Sequence, residues 1–536
     1  MNAPPSAVQV CANLEPAIGD ALCGQRQAAP SRTETAGRVG KESSFAGHVL
    51  LFSLANLAAL LSNGLLAFLL PRWLSLESYG YYRLFILYGG FAGALHLGLL
   101  DGSLVRWAAR PGERLPAEAR SALIFLLLQQ MALLVPVMIV LAVWYRHETW
   151  FLLVLAIALY ALVSNAAVMG QFVLQAEKSF GLLSAVTAAN PALLLGALVA
   201  LHRWNRMQTG SLLAAYIATS LAAGLAVWIV LLVQYSGEKY PAQKYKSRAP
   251  AAKIRIKMKM KTAGYIWRVG AGNIRAGWGI LLAGLVTSLA VSLDRIMVSL
   301  SFGIRDFAIY SLAATALAVV NTIIASVARV VFPYLSDGLS AEQKAHAYIW
   351  GESCLIALWA VSLAVFFPLR VLLPRYLPAY ILSLPILRLL MLATGPTALI
   401  YILHSNYFRS SLRQTSLLLG ASVGLLSAAL LLALAKRSGN LENMAWAMLG
   451  AVVLWWTVDE WLLRDLTGKT SGEIGKTLFF FLACGGTFLL CAAVSSAWLD
   501  VLAYGGAAVF LTALVYGRRL HSFLFTRFLS LAVAGS

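Results

Sequence analysis

Pro71-Arg72-Trp73-Leu74-Ser75-Leu76-Glu77-Ser78-Tyr79-Gly80-Tyr81-Tyr82 has an echo further along the chain. The second phrase, about 228 residues on, is Ser299-Leu300-Ser301-Phe302-Gly303-Ile304-Arg305-Asp306-Phe307-Ala308-Ile309-Tyr310. Each follows one long apolar run and precedes another. Each reads as a helix end, a short charged turn, an aromatic, a small residue, and a Tyr opening the next helix. A hairpin that occurs twice between apolar runs implies two similar helical bundles facing one another, an arrangement common to many secondary transporters.

The rest of the chain fits a membrane protein. Of its 536 residues, 60% are hydrophobic and only 12% charged, with a mean hydropathy of +0.76; soluble domains carry roughly 25% charged residues. The net charge of +20 does not indicate nucleic acid, because the basic residues lie between apolar runs, where they set membrane orientation. Cys11, Cys23, Cys354, Cys484 and Cys491 form no CxxC or Cys/His cluster, so neither a metal, a cofactor nor a disulfide framework is expected.

Spanning-length runs fall near 46–71, 81–105, 119–143, 149–175, 180–202 and 211–234, then near 273–301, 306–332, 349–373, 379–408, 414–435, 441–463, 477–496 and 498–517. Runs of about 20 apolar residues in lipid must be helices. The expectation is an all-α polytopic membrane protein of about 14 helices, in two pseudo-symmetric six-helix lobes with a C-terminal helical hairpin. Its parts are a disordered cytoplasmic tail (1–45), an N-lobe (46–234), a basic cytoplasmic linker (235–272), a C-lobe (273–463), and the last two helices with the C-terminal tail (464–536). The tail has no apolar stretch suited to a cleavable signal. Lys and Arg, about 29 on one side and about 10 on the other, put both termini in the cytoplasm. In the linker, Lys253-Ile254-Arg255-Ile256-Lys257-Met258-Lys259-Met260-Lys261 suits anionic headgroups; it sets orientation or binds a partner.

One apparent motif misleads. Gly468-Lys469-Thr470-Ser471-Gly472-Glu473-Ile474-Gly475-Lys476-Thr477 looks like a phosphate-binding loop, but position 470 is Thr where that pattern needs Gly, and no strand precedes it. It reads instead as a polar turn between the twelfth and thirteenth helices.

Charges inside apolar runs carry more information, since each is costly unless paired or hydrated. Asp294 and Arg295 lie in the seventh run. Neighbours on a helix point about 100° apart, so these two are not expected simply to neutralise each other. Either they bond elsewhere, Arg295 snorkelling outward, or they serve a site. Arg388 sits about nine residues into the tenth run, roughly 13 Å deep, between Pro385 and Gly395-Pro396, which should kink the helix. Its planar, bidentate donors suit a diphosphate; the other reading is a structural ion pair. Arg83 and Arg275 open the second and seventh runs, as cavity-mouth residues or interfacial anchors. Arg329 reads first as an anchor, and Asp459 and Glu460 as solvated or paired with Arg464. Gly270, Gly272, Gly277, Gly279 and Gly284 allow bending or close packing of the seventh helix, and Gly98-x-x-x-Gly102 and Gly420-x-x-x-Gly424 are small-residue packing motifs.

Leu74-Ser75-Leu76-Glu77-Ser78-Tyr79-Gly80-Tyr81-Tyr82 resembles the "L-S-x-E-x-(aromatic)-G-x-Y" turn of the polysaccharide flippases, in the multidrug/oligosaccharidyl-lipid/polysaccharide exporter superfamily. Leu97-Gly98-Leu99-Leu100-Asp101-Gly102-Ser103-Leu104-Val105-Arg106 is similar to the end of their second helix. Ser292-Leu293-Asp294-Arg295 with Asp306-Phe307-Ala308-Ile309-Tyr310-Ser311-Leu312-Ala313 resembles their second-half hairpin, with Ala308 where Gly is usual. The resemblance implies a V-shaped pair of lobes in the bacterial inner membrane. Such a protein moves an undecaprenyl-diphosphate-linked oligosaccharide outward for exopolysaccharide, capsule or O-antigen (lipopolysaccharide) assembly. Glycosyltransferases and a glycan polymerase would act beside it, and no nucleic acid is involved. The substrate-binding candidates are Arg388, Arg295, Asp294, Arg275 and Arg83. The rival readings are a drug/cation antiporter of the same superfamily and a membrane glycan polymerase or ligase.

Overall fold

Ser75 shows how the repeated phrase folds. Its hydroxyl accepts the Ser78 backbone N–H at 3.2 Å, satisfying one of the free donors that open a helix. It thereby separates α1 (Leu57–Trp73) from α2 (Leu76–Gly89). The second phrase does the same work: α8 (Thr262–Ser301) ends at Ser301, and α9 starts at 304 after Phe302-Gly303.

The structure, a computed structural model, describes residues 54–55, 57–108, 115–145, 149–177, 179–236, 262–317, 340–411, 413–493 and 497–534. The chain divides into two units, Met1–Leu54 and Ala55–Ser536, and every helix from α1 onward lies in the second. Among the described residues there are helices and no strands. After α2 come a short 3-10 turn (Ala92–His96), α3 (Leu99–Ala108), α4 (Leu115–Tyr145), α5 (Thr149–Ala176), α6 (Phe180–Arg203) and α7 (Thr209–Ser236). The second half runs through α8, α9 (described over 304–317), α10 (Ala341–Ser362), α11 (Phe366–Tyr376) and α12 (Ser383–Ala398). It finishes with α13 (Ser405–Ser410), α14 (Gln414–Lys436), α15 (Leu441–Thr467), α16 (Ser471–Ala493) and α17 (Ala497–Ala534).

By length and composition, eleven of the described helices can cross a membrane, or twelve when one bent pair counts as a span. α1 is described as an unbroken helix only from Leu57, and most of the expected span at 306–332, Arg329 included, lies outside the described residues, as do the 1–45 tail and most of the basic linker. α8 is already helical at Thr262, ahead of the apolar run near 273–301.

Two spans depart from simple helices. The expected 81–105 span is bent by 60°, because Leu97 and Gly98 take left-handed backbone angles (φ 49° and 85°) and the Gly98 N–H turns back to His96 Nδ1 at 3.1 Å. In the tenth run, Pro385 falls in the first turn of α12 and is tolerated there. Pro396 lies deeper, removes a helical donor, and is followed by a π-turn at Leu399–His404. This segment, Ser383–Ser410, is surrounded by protein along most of its length, 83% of its apolar window being buried.

The last two helices pack on the second half. Tyr504 donates to the Ala360 carbonyl at 2.7 Å, and Arg370 on α11 donates to the Ala492 carbonyl at 3.1 Å and lies 3.7 Å from Asp500.

Candidate functional site

The two repeated hairpins meet each other. Arg305 Nη2 lies 2.8 Å from Glu77 Oε1 and Arg305 Nε donates to the same oxygen at 2.9 Å, across 228 residues. Gly80 lies so close to Ile304 that a Cβ there would stand 2.6 Å from the Ile304 carbonyl oxygen. Further along, the Tyr88 and Ser299 hydroxyls are 2.8 Å apart. At the opposite end of this antiparallel arrangement, α3 packs on the first part of α8 with no room for side chains. A Cβ on Gly102 would collide with the Asn273 carbonyl, and one on Gly277 with the Gly98 carbonyl. Asn273, buried, accepts from Arg106 Nη1 at 2.6 Å and donates to Ser103 Oγ at 2.7 Å. Close packing is thus the role of Gly98, Gly102 and Gly277, whereas Gly279 and Gly284 face open space.

Between these closures lies a cavity of about 300 Å³, lined among others by Arg83, Phe91, Ser292, Arg295, Ser311 and Tyr401. Arg83 projects from the third turn of α2, not from its start as expected, because Ser75 begins the helix earlier. Its Nε is buried with no hydrogen-bond partner, and no ion pair to Arg83 forms among the described residues. Arg295 is steadied by its own helix, Nη2 donating to Ser292 Oγ at 3.0 Å and to the Val291 carbonyl at 3.2 Å.

Asp294 is buried beside it. One carboxylate oxygen accepts the Arg295 backbone N–H at 2.7 Å, and the other accepts the Tyr310 hydroxyl at 2.8 Å. Arg295 Nε stands 3.6 Å from the first oxygen, so the two neighbours do touch, contrary to the helical-angle expectation, because the Asp294 side chain folds back on its own helix. Two guanidinium groups against one carboxylate, itself already bonded, leave the cavity with surplus positive charge.

Arg388 and Arg275 are elsewhere. Arg388 pairs with Glu442 at 2.6 Å, both less than one-third exposed. Because α12 begins at Ser383, Arg388 lies only about 8 Å along it, shallower than its place in the apolar run suggested. Arg275 is an exposed residue on α8, outside the cavity lining.

Asp459 and Glu460 are neither solvated nor paired with Arg464, which lies 3.7 Å from Asp465 instead. Both are buried, Asp459 against His404 and Glu460 against His404 and Lys469. Lys469 Nζ reaches Glu352 at 2.7 Å and Glu460 at 2.8 Å. It belongs to the turn mistaken at first sight for a phosphate loop, where left-handed Gly468 (φ 68°) ends α15. Burial alone would weaken the hold of Lys469 on its proton, but the two carboxylates outweigh it and raise its pKa above the usual lysine value. Gly420 makes room for the Asp459 carboxylate, and Gly424 for the Trp455 ring.

Sequence reasoning found Arg83 and Arg295 but missed Tyr401 in the cavity, and Glu352 and His404 in the buried cluster. The signal was available for the last two: each is an ionisable residue inside an apolar run.

The described residues form an all-helical bundle with helices of membrane-spanning length and an electropositive cavity between two closures. It is the fold of a solved structure described as "Lipid II flippase MurJ, inward closed conformation", which overlays with a TM-score of 0.61 at 10% identity, covering 88% of this chain and 100% of that one. The expected likeness to flippases of the exporter superfamily therefore holds at the level of fold. Looser overlays are found with a MOP superfamily transporter from Pyrococcus furiosus Vc1 (TM-score 0.45, 14% identity, 79% of this chain and 94% of that one). A multidrug resistance MATE family transporter in an outward-facing conformation gives 0.44, 14%, 79% and 96%. Both fall below the level at which a shared fold follows. No protein-family model matches the chain, and no curated protein does.

Proposed function

We propose that the chain flips a lipid-linked oligosaccharide, an undecaprenyl-diphosphate sugar, across the bacterial inner membrane. The export would serve exopolysaccharide, capsule or O-antigen assembly. Glycosyltransferases would supply the substrate and a polymerase would consume it. One observation carries the reading: Arg83, with a buried and unpartnered Nε, shares a cavity with Arg295. A guanidinium held without a carboxylate is a site for an anion, and its planar donors match a diphosphate. At about 300 Å³ the cavity is at the small end of ligand sites. It would hold the charged head and leave the lipid tail in the bilayer.

In this reading 46–234 and 273–463 are two lobes with both termini cytoplasmic, which puts the Glu77–Arg305 closure outside and the Asn273 closure inside. Alternating access follows from parting one closure while the other holds. Asp294 is a positioning residue, holding Arg295 toward the cavity. Arg388 and Arg275 have no part in gripping the head; Arg388 braces α12 to α15. Two closures that can alternate also favour a transporter over a glycan polymerase or ligase.

The antiporter reading draws on Asp294, a buried carboxylate of the kind that trades a cation for substrate. It is weaker because both Asp294 oxygens are already engaged. The test is complementation of a flippase-deletion strain. Arg83→Ala with Arg295→Ala should abolish surface-glycan export while the protein still reaches the membrane. Undiminished export would overturn the reading, and cation-dependent dye efflux by the wild type would transfer it to the antiporter.

A further inference from the structure

Five ionisable side chains lie together in the second half, and the transport reading uses none of them. Glu352 on α10, His404 on the π-turn, Asp459 and Glu460 on α15, and Lys469 in the α15–α16 turn are all at least 95% buried. Lys469 bridges Glu352 and Glu460. His404 sits between the other two contacts, Nδ1 at 3.3 Å from Asp459 Oδ2 and Nε2 at 3.3 Å from Glu460 Oε1. Tyr348 donates to Glu460 at 2.7 Å, and Thr477 on α16 donates to Glu352 at 3.1 Å and is 3.1 Å from the Tyr516 hydroxyl of α17. Also packed on the cluster are the Trp455 indole, which hydrogen-bonds Asp459, and the Tyr348 ring, stacked on His404 and under the Lys469 ammonium. The Tyr407 ring lies against Tyr348 and the Lys476 ammonium over Tyr516.

The charges in this cluster do not balance by themselves. Three carboxylates face one lysine, so with a neutral His404 the cluster carries two surplus negative charges. Uncompensated charge at this depth is strongly disfavoured. A proton on His404 removes one surplus charge, and a proton on a carboxylate removes the other. Two buried oxygens, Glu352 Oε2 and Asp459 Oδ1, have no hydrogen-bond partner. An oxygen without a donor is a poor seat for negative charge and a good one for an O–H.

The imidazole is the sensitive member. Protonated, it donates from both nitrogens, one to each carboxylate. Neutral, it must turn a lone pair toward one of them, which is repulsive. Its backbone is the π-turn Leu399–His404, and three residues earlier the same turn carries Tyr401 into the wall of the Arg83–Arg295 cavity. A π-turn has already given up regular helical bonding and shifts register more readily than an α-helix. The cluster also has a short way out, since Lys469 is buried but Gly468 and Thr470 on either side are exposed.

We propose that Glu352, His404, Asp459, Glu460 and Lys469 form a proton-binding site, whose occupancy is transmitted to the cavity through the π-turn that His404 and Tyr401 share. The site requires no particular substrate, so it stands or falls separately from the flippase reading.

The test uses the full chain in lipid nanodiscs, without substrate. Hydrogen exchange of the 399–405 peptide, corrected for intrinsic rates, is compared on the acid and alkaline sides of neutrality. In the wild type, protection should change by about tenfold or more. In His404→Gln and Asp459→Asn it should be the same at both pH values. Infrared difference spectra of the wild type should show the carbonyl band of a buried protonated carboxyl, reduced in Asp459→Asn or Glu352→Gln. Wild-type protection that ignores pH, a wild-type spectrum without that band, or a protection change that survives in His404→Gln would overturn the proposal. So would a change that follows Na⁺ at fixed pH, which would make the site one for a metal cation. The wild-type measurements alone decide the matter if a variant fails to fold.

Discussion

Replacing Gly80 by alanine should loosen one closure of the cavity and spare the other. The new Cβ would stand 2.6 Å from the Ile304 carbonyl oxygen and 2.8 Å from its Cγ1. Ordinary contact begins near 3.4 Å, so the two turns must part by about 0.8 Å. The nearest obstacle is backbone, which cannot rotate out of the way. Overpacking of this kind costs about 1–3 kcal/mol, and about 2 kcal/mol corresponds to roughly 30-fold in the balance between closed and open forms. The readout is a cysteine at Ser311, a buried residue of the cavity wall, in a chain whose native cysteines have been replaced. An impermeant thiol reagent, added at the face carrying the Glu77–Arg305 pair, should label it at least tenfold faster in Gly80→Ala. Gly279→Ala, which meets nothing within 4 Å, should leave the rate unchanged. If Gly80→Ala is labelled at the parental rate with an unchanged thermal midpoint, the contact between these turns is not what closes the cavity.

Other perturbations test the remaining parts. Tyr310→Phe removes a donor from the buried Asp294 carboxylate and should lower stability by about 1.5–3 kcal/mol, read as a fall in the melting temperature. Arg388→Ala and Glu442→Ala should show a coupling of about 1 kcal/mol or less in a double-mutant cycle, with glycan export retained; lost export without coupling would return Arg388 to the substrate. Lys469→Met strands two buried carboxylates and should cost about 3–5 kcal/mol near neutrality. Because the folded-state pKa of Lys469 is raised, its contribution is complete below the unfolded value of about 10.4. It fades only as pH climbs through the raised value, so on the alkaline side of neutrality the variant's deficit should shrink only in strong alkali.

The repeated hairpin was legible because it is local: a Ser cap, a charged turn and an aromatic at fixed spacing recur wherever the chain folds that way. Arg83 and Arg295 could be singled out because a cation in an apolar run is expensive anywhere. Their meeting in one cavity could not be read, since α2 and α8 come together only through the fold. Asp459 and Glu460 were misjudged for the same reason. They lie beside Arg464 in sequence, but their partners arrive from α10, the π-turn and a turn nine residues further on. The bend at Leu97–Gly98 was hidden because Gly98 is one of five glycines in the 81–105 stretch, and none of them interrupts the hydropathy pattern.

The Glu77–Arg305 pair joins positions that correspond in the two phrases. In an assembly of two related copies, a residue touches its own counterpart only beside the axis that relates them. At that place identical copies are electrically self-defeating: glutamate would oppose glutamate, or arginine arginine. A single chain escapes the constraint because its two halves are free to differ. The pair thus marks a point where departure from perfect repetition is itself the adhesive, and a chain carrying Glu77→Arg should regain its closure on adding Arg305→Glu.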